Sequence, residues 1–224
     1  MLRGQGVKRE IIHLTKVSRA PRQAQKPPSI PKGPHYSLFS PFKILIYSNM
    51  SFQKSNNIFG WAAFGIALIT YWLTFEETAS YWDCGEFIAV AYKLEVSHPP
   101  GAPLFMLMGR MFSFLAMGDV TKVAYWINFL SVFGSAFTIL FLFWSITLFG
   151  RKMMGAKNDS DLTDAQIWTL MGAGLVGSLA YTFSDSFWFS AVEAEVYAMS
   201  SFFTAFVVWG VLKWDVIKDD ATAN

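Results

Sequence analysis

"AYWINFLSVFGSAFTILFLFWSITLFG", residues 124–150, runs without a single charged side chain. About 20 apolar residues suffice for a helix to cross a bilayer, with a working range of roughly 17 to 25. The stretch therefore reads as a membrane-spanning helix, and it sets the solvent in which the rest of the chain is to be understood. Working outward, residues 58–75, 165–184 and 196–212 meet the same test. Residues 103–117 are shorter and carry Arg110 at their centre, which predicts an interfacial or re-entrant helix instead of a span. The expected fold class is an all-α membrane protein with about four transmembrane helices, and with interfacial helices in a first outer loop over residues 76–122.

The composition agrees, for 53% of the 224 residues are hydrophobic and only 15% charged, against about a quarter charged in soluble domains. Residues 1–49 hold nine of the eighteen Lys and Arg, six of the nine prolines and a single acid, Glu10. Such a segment buries too little apolar surface to offset its ordering entropy, so residues 1–54 are expected to be a basic, proline-rich disordered region. It is either a cytoplasmic tail or the product of a start placed too early, because Met50 precedes an ordinary membrane-protein beginning. The membrane region is expected over 55–218, with 219–224 as a short tail. No nucleic-acid partner is expected. The lone cysteine, Cys84, excludes an internal disulfide and is read as a small apolar residue on a helix face.

Lys and Arg accumulate in cytoplasmic connections. Lys54 precedes the first span, Arg151 and Lys152 follow the second, and Lys213 and Lys218 end the fourth. The 76–122 connection has six acids against three bases, and "SDSFWFSAVEAE" between the third and fourth spans has three acids and no base. The acidic connections are therefore assigned to the outside and the N-terminus to the cytoplasm.

The outer loop carries the candidate chemistry. Residues 81–95 are predicted to form an amphipathic surface helix, with Asp83, Glu86, Val90 and Lys93 on one side and Cys84, Phe87, Ile88, Ala91 and Leu94 on the other. His98-Pro99-Pro100-Gly101 stops it, since proline removes an amide donor and glycine permits reversal. Asp83 and Glu86, three apart, share a helix face and can approach one substrate, although a merely solvated face has the same pattern. Glu193 and Tyr197 are neighbours on a second face beside Glu195, where a favourable interaction with a helix N-terminus competes with a functional reading. Lys93, His98 and Arg110 are the nearby cations or potential cations. Arg110 suits a phosphate in bidentate fashion, and equally suits ordinary snorkelling. No zinc site is expected, because His98 has no partner at ligand spacing.

"YWDCGEFIAVAYKLEVSHPPGAPLF" together with "AVEAEVYAM" resembles the GT-C membrane glycosyltransferases, in particular the protein O-mannosyltransferase branch, and within it a bacterial family related to the transmembrane O-mannosyltransferases of animals. The resemblance covers about residues 55–215 and corresponds to the N-terminal part of such an enzyme. It implies inverting transfer of a sugar from a polyprenyl-phosphate donor to a hydroxyl acceptor, of protein Ser or Thr, on the outer face of a bacterial inner membrane. It implies Asp83 as the base, Glu86 as a supporting acid, and His98, Glu193, Glu195 and Tyr197 as substrate-site residues, with Lys93 and Arg110 added on charge and position. No metal or other cofactor is expected, since a phosphate leaving group held by cations needs none. Expected partners are the lipid-linked sugar, the acceptor, membrane lipid and a second chain supplying further helices. The competing classes are a transporter module, which would place carboxylates near mid-bilayer, and a non-catalytic assembly or lipid-binding subunit.

Overall fold

The computed structural model describes residues 51–222, and the basic segment expected over residues 1–54 lies outside them except for its last four positions. Seven α-helices form among the described residues: α1 (Phe52–Thr74), α2 (Cys84–Lys93), α3 (Pro103–Ser113), α4 (Val123–Met153), α5 (Asp164–Thr182), α6 (Asp185–Ala191) and α7 (Val196–Thr222). Three 3₁₀ turns, Phe114–Ala116, Val120–Lys122 and Asp159–Asp161, join them, and no strand occurs among the described residues. Three segments, Phe52–Thr74, Val120–Met153 and Val196–Lys218, are long and apolar enough to cross a membrane. The pair α5–α6, bent by 68°, makes a fourth when counted as one broken span. The all-α fold with about four spans is thus observed, with α1 beginning at Phe52, earlier than the expected boundary at 54.

Helix α4 is the axis, and α1, α5 and α7 pack around it. Its contact with α5 is close because Gly174 has no side chain. A Cβ there would stand 2.7 Å from the Phe143 ring and 2.8 Å from Thr147 Cγ2, which is the use of small residues at membrane helix interfaces. Tyr71, fully buried, donates a 2.9 Å hydrogen bond to the Thr182 carbonyl, where α5 ends and the chain bends into α6. Helix α5 starts at a reciprocal capping box, with the Gln166 amide donating to Thr163 Oγ1 and the Thr163 amide donating to Gln166 Oε1.

The two ends of the bundle differ in charge. At one end Arg151 pairs with Asp159 at 3.4 Å, Ser51 donates to Asp159 at 2.9 Å, and Lys152 pairs with Asp215. The other end carries α2 and α3, which pack on each other and on α4 around Cys84, Phe87, Ala91, Phe105, Ile127 and Leu130. Helix α2 is shorter than the predicted 81–95. It starts at Cys84 because Trp82 adopts a left-handed backbone (φ 67°), and it stops at Lys93 because Leu94 does the same (φ 57°). The stripe changes accordingly: Cys84, Phe87, Ile88 and Ala91 are buried as expected, Val90 joins them, and Leu94 turns out to solvent or lipid.

Gly174→Ala is expected to lower stability by about 1–3 kcal/mol, the usual effect of overpacking a tight interface. Gly172→Ala, on the same helix with nothing within 4 Å of its added Cβ, is expected to be neutral or slightly stabilising. Thermal unfolding of the two variants in one detergent checks the pair.

Candidate functional site

The site is assembled at the end of α4 from three pieces of chain. Asn128, one turn into α4 and fully buried, donates from Nδ2 to the carbonyls of Glu76 and Thr78, at 2.7 Å each. Its Oδ1 faces the Cys84 thiol at 3.6 Å. The segment leading into α2 is thereby fixed at three points. The 192–195 segment is fixed beside it: the Glu76 amide donates to the Val192 carbonyl at 2.8 Å, and the Glu195 amide donates to Ser131 Oγ at 3.4 Å.

Between these pieces lies a cleft of about 230 Å³ bordered by Asp83, His98, Pro100, Glu195, Val196 and Tyr197. His98 is clasped by Glu86: its amide donates to Glu86 Oε1 at 2.7 Å, and its Nδ1 lies 3.1 Å from Glu86 Oε2. Its other ring nitrogen faces Asp83 Oδ2 at 3.9 Å, and the ring leans on Phe87. The turn that presents His98 closes with the Gly101 amide on the His98 carbonyl at 2.8 Å, and Gly101 has φ 70°, a conformation a residue with a Cβ adopts at a cost. The Pro99–Pro100 peptide is cis.

The electrostatics follow from these contacts. Bonds from His98, its amide first, hold the Glu86 carboxyl below its ordinary value, and the Glu86 bond raises His98 above 6.5. Glu195 is buried, and that burial, with Glu193 and Asp83 close by, pushes its carboxyl up to about 7. Glu193 is equally buried, accepts from the Ser80 hydroxyl through Oε2, and leaves Oε1 without a partner among the described residues. One ligand atom from each of Asp83, Glu86 and His98 lies within 4.8 Å of the others, a spacing one cation can bridge.

Of the residues singled out in the sequence, Asp83, His98, Glu195 and Tyr197 border one cleft, and Glu86 supports it through His98. Glu193 stands behind it, on Ser80. Lys93 and Arg110 do not border it. The Arg110 guanidinium donates to the Tyr92 carbonyl at 2.6 Å and lies over the Tyr92 and Phe114 rings, at 5.1 and 4.8 Å, so that it fastens α3 to the end of α2. Sequence reasoning missed Asn128, Ser131 and Ser80. The available signal for the first was a lone amide inside an uncharged span, where polar groups are rarely idle.

Asn128→Ala removes the donor of two carbonyls and is expected to cost about 1–3 kcal/mol. Because Cys84 is the only cysteine and fully buried, its rate of maleimide labelling reports the same loosening and is expected to rise in the variant. The His98–Glu86 clasp has a defined pH window. The His98 contribution is complete below 6.5 and is lost as pH rises through its higher folded value, while that of Glu86 is present above 4.5 and is lost as pH falls through its lower folded value. An NMR titration is expected to place the His98 midpoint above 6.5, and Glu86→Gln is expected to return it toward 6.5.

The family described as the protein O-mannosyl-transferase TMEM260 N-terminal domain matches residues 83–224, a range that begins at Asp83 and includes the whole cleft. Among curated proteins, the chain is 28% identical over 141 residues to the protein O-mannosyl-transferase tmem260 of Dictyostelium discoideum, covering 63% of this chain and 15% of that one. It is 24% identical over 147 residues to the protein O-mannosyl-transferase TMEM260 of Mus musculus, covering 66% and 18%. The chain thus spans less than a fifth of the length of these relatives. No solved structure matches it. With the matched range extending over more than half of its length, the chain belongs to the TMEM260 N-terminal domain family of protein O-mannosyl-transferases.

Proposed function

We propose that the cleft is the acceptor-activating part of a GT-C type glycosyltransferase, which moves a sugar from a polyprenyl-phosphate donor to a Ser or Thr hydroxyl of a protein. The observation that carries the reading is the convergence of Asp83, His98 and Glu195 on one cleft at a helix-end surface, in a chain whose relatives are named protein O-mannosyl-transferases. The distribution of basic and acidic connections favours the outer face for this end and the cytoplasm for the N-terminus. A lipid-linked donor calls for such a place, since its chain stays in the bilayer while its sugar meets a water-borne acceptor.

In this mechanism Asp83 accepts the proton of the acceptor hydroxyl. The freed oxygen attacks the anomeric carbon as the bond to the phosphate oxygen breaks, the phosphate leaves with the electron pair, and the configuration inverts. His98, held by Glu86, orients Asp83 and when protonated offsets the charge of the cleft. Glu195, half titrated near pH 7, can present a neutral carboxylic acid to a sugar hydroxyl. Tyr197 and Glu193 complete the binding surface and its support. The reading uses no metal, because His98 and Glu86 already satisfy one another. Among the described residues no Lys or Arg borders the cleft, so in this reading the cation that meets the phosphate is not one of the residues that line it. A transporter reading has less support, since no carboxylate interrupts the middle of α1, α4, α5 or α7.

Asp83→Asn keeps the shape and removes the base. Transfer of mannose from polyprenyl-phosphate mannose to a Ser-containing protein, measured in membranes holding the chain with any required partner, is expected to fall by about 10²-fold or more. Unchanged transfer at equal expression overturns the assignment.

A further inference from the structure

The end of the bundle away from the cleft holds a second charged space. A cavity of about 160 Å³ opens there between the last turns of α4, the connection that follows it and α7, bordered by Leu148, Arg151, Lys152, Lys157, Asp215 and Val216. Among the described residues three cations thus border it against one acid.

The chain itself sets these cations in place. Helix α4 runs uncharged from Ala124 to Gly150 and then presents Arg151 and Lys152. The carbonyls of Gly150, Arg151 and Lys152, which at an open helix end would repel an anion, accept from the Met154, Ala156 and Gly155 amides respectively. Gly155, at φ 70°, makes the reversal after the helix. The Arg151 guanidinium then draws the chain back by donating to the Lys157 carbonyl. Arg151 is held in turn by Asp159 at 3.4 Å and by the Phe52 ring at 5.1 Å, while Lys152 pairs with Asp215. Asp159 and Asp161 do not border the cavity, and Asp161 is occupied with the Lys157 and Asn158 amides, at 2.9 and 2.8 Å. Lys157 is exposed, and its ammonium has no ion pair or side-chain hydrogen bond among the described residues.

Position selects the ligand. The spans Val120–Met153 and Val196–Lys218 both finish beside this cavity, which puts it at the depth of lipid headgroups. Trp214, exposed next to Asp215 with the Lys218 ammonium 5.7 Å from its ring, is the kind of aromatic residue that marks that depth. Leu148 and Val216 give the cavity an apolar side that continues into the spans. A cationic rim above an apolar wall, between two membrane helices, takes the phosphate of a lipid whose chains stay in the bilayer. A soluble anion has no use for the wall.

We propose that this cavity binds the phosphate of an anionic phospholipid in the leaflet at the Arg151 end. Lys157 meets the phosphate, Lys152 shares its charge between the phosphate and Asp215, Arg151 positions Lys157, and the acyl chains pass Leu148 and Val216. The bound lipid joins the end of α4 to α7. This site stands apart from the acceptor reading of the cleft and does not depend on it.

The test uses the whole chain in a neutral detergent, titrated by native mass spectrometry with phosphatidylglycerol or with phosphatidylcholine of the same acyl chains. The first phosphatidylglycerol is expected to bind about fivefold more tightly than phosphatidylcholine, or better. Lys157→Gln is expected to weaken it about fivefold, equivalent to about 1 kcal/mol for one basic residue. Lys54→Gln removes an exposed cation that does not border the cavity, and is expected to leave the affinity within about twofold. Asp215→Asn removes the bordering acid and is expected to tighten binding, the opposite of what loss of a purely structural ion pair gives. Because Lys157 is exposed and its ammonium unpaired, Lys157→Gln is expected to keep wild-type melting in the absence of lipid. No preference for phosphatidylglycerol, equal losses in Lys157→Gln and Lys54→Gln, or weaker binding in Asp215→Asn overturns the site. Displacement of the lipid by inorganic phosphate overturns it in favour of a soluble anion.

Discussion

The site depends on one buried amide. Asn128 sits in a span otherwise suited to lipid, and its side chain makes no use of lipid at all. It binds the backbone that enters α2 at the Glu76 and Thr78 carbonyls and faces the Cys84 thiol. In surroundings with little water to compete, an amide whose donors are both taken is a strong positional constraint, and its removal leaves carbonyls with nothing else to bind. Asp83 stands next to the last of these contacts, so its position in the cleft is inherited from α4.

A second constraint is the accumulation of acids at that end of the bundle. Asp83, Glu86, Glu193 and Glu195 come together with one histidine and, among the described residues, no bordering Lys or Arg. Each of the four acids has a different environment. Glu86 is taken up by His98, Glu193 by Ser80, and Glu195 is buried and holds its proton up to about pH 7, which leaves Asp83 as the exposed carboxylate of the group. Separate environments for neighbouring acids are how one site holds a base and a proton donor at the same pH. Arg110, a cation of the same loop that could have balanced them, is spent on the Tyr92 carbonyl and two aromatic rings. Among the described residues, the cleft is therefore bordered by acids and one histidine without a Lys or Arg.

The spans differ in how far they are covered. Helix α4 is well covered, whereas little of the α7 span is buried and Val207, Val211 and Trp214 are exposed along it. Such a face suits either lipid or further helices, and the relatives are more than five times as long as the region they share with this chain. The cleft lies at the start of this same helix, between Glu195 and Tyr197.

The amino-acid sequence by itself determined the helical class, the spans, the break at His98-Pro99-Pro100-Gly101 and the gathering of acids at one end. These are local properties: apolar length, the missing amide of proline and the charge of each connection can be read within a few residues. Even there the ends of α2 escaped, because the left-handed backbones of Trp82 and Leu94 belong to residues that rarely adopt them. Only the tertiary structure decided that Glu195 meets Asp83 and His98 while Glu193 turns to Ser80 across 113 residues of chain, that Arg110 points away, and that Asn128 holds the entry to α2. Each of these outcomes is settled by which helix faces lie together, and so depends on close fits such as Gly174 against Phe143 that no single stretch of sequence contains.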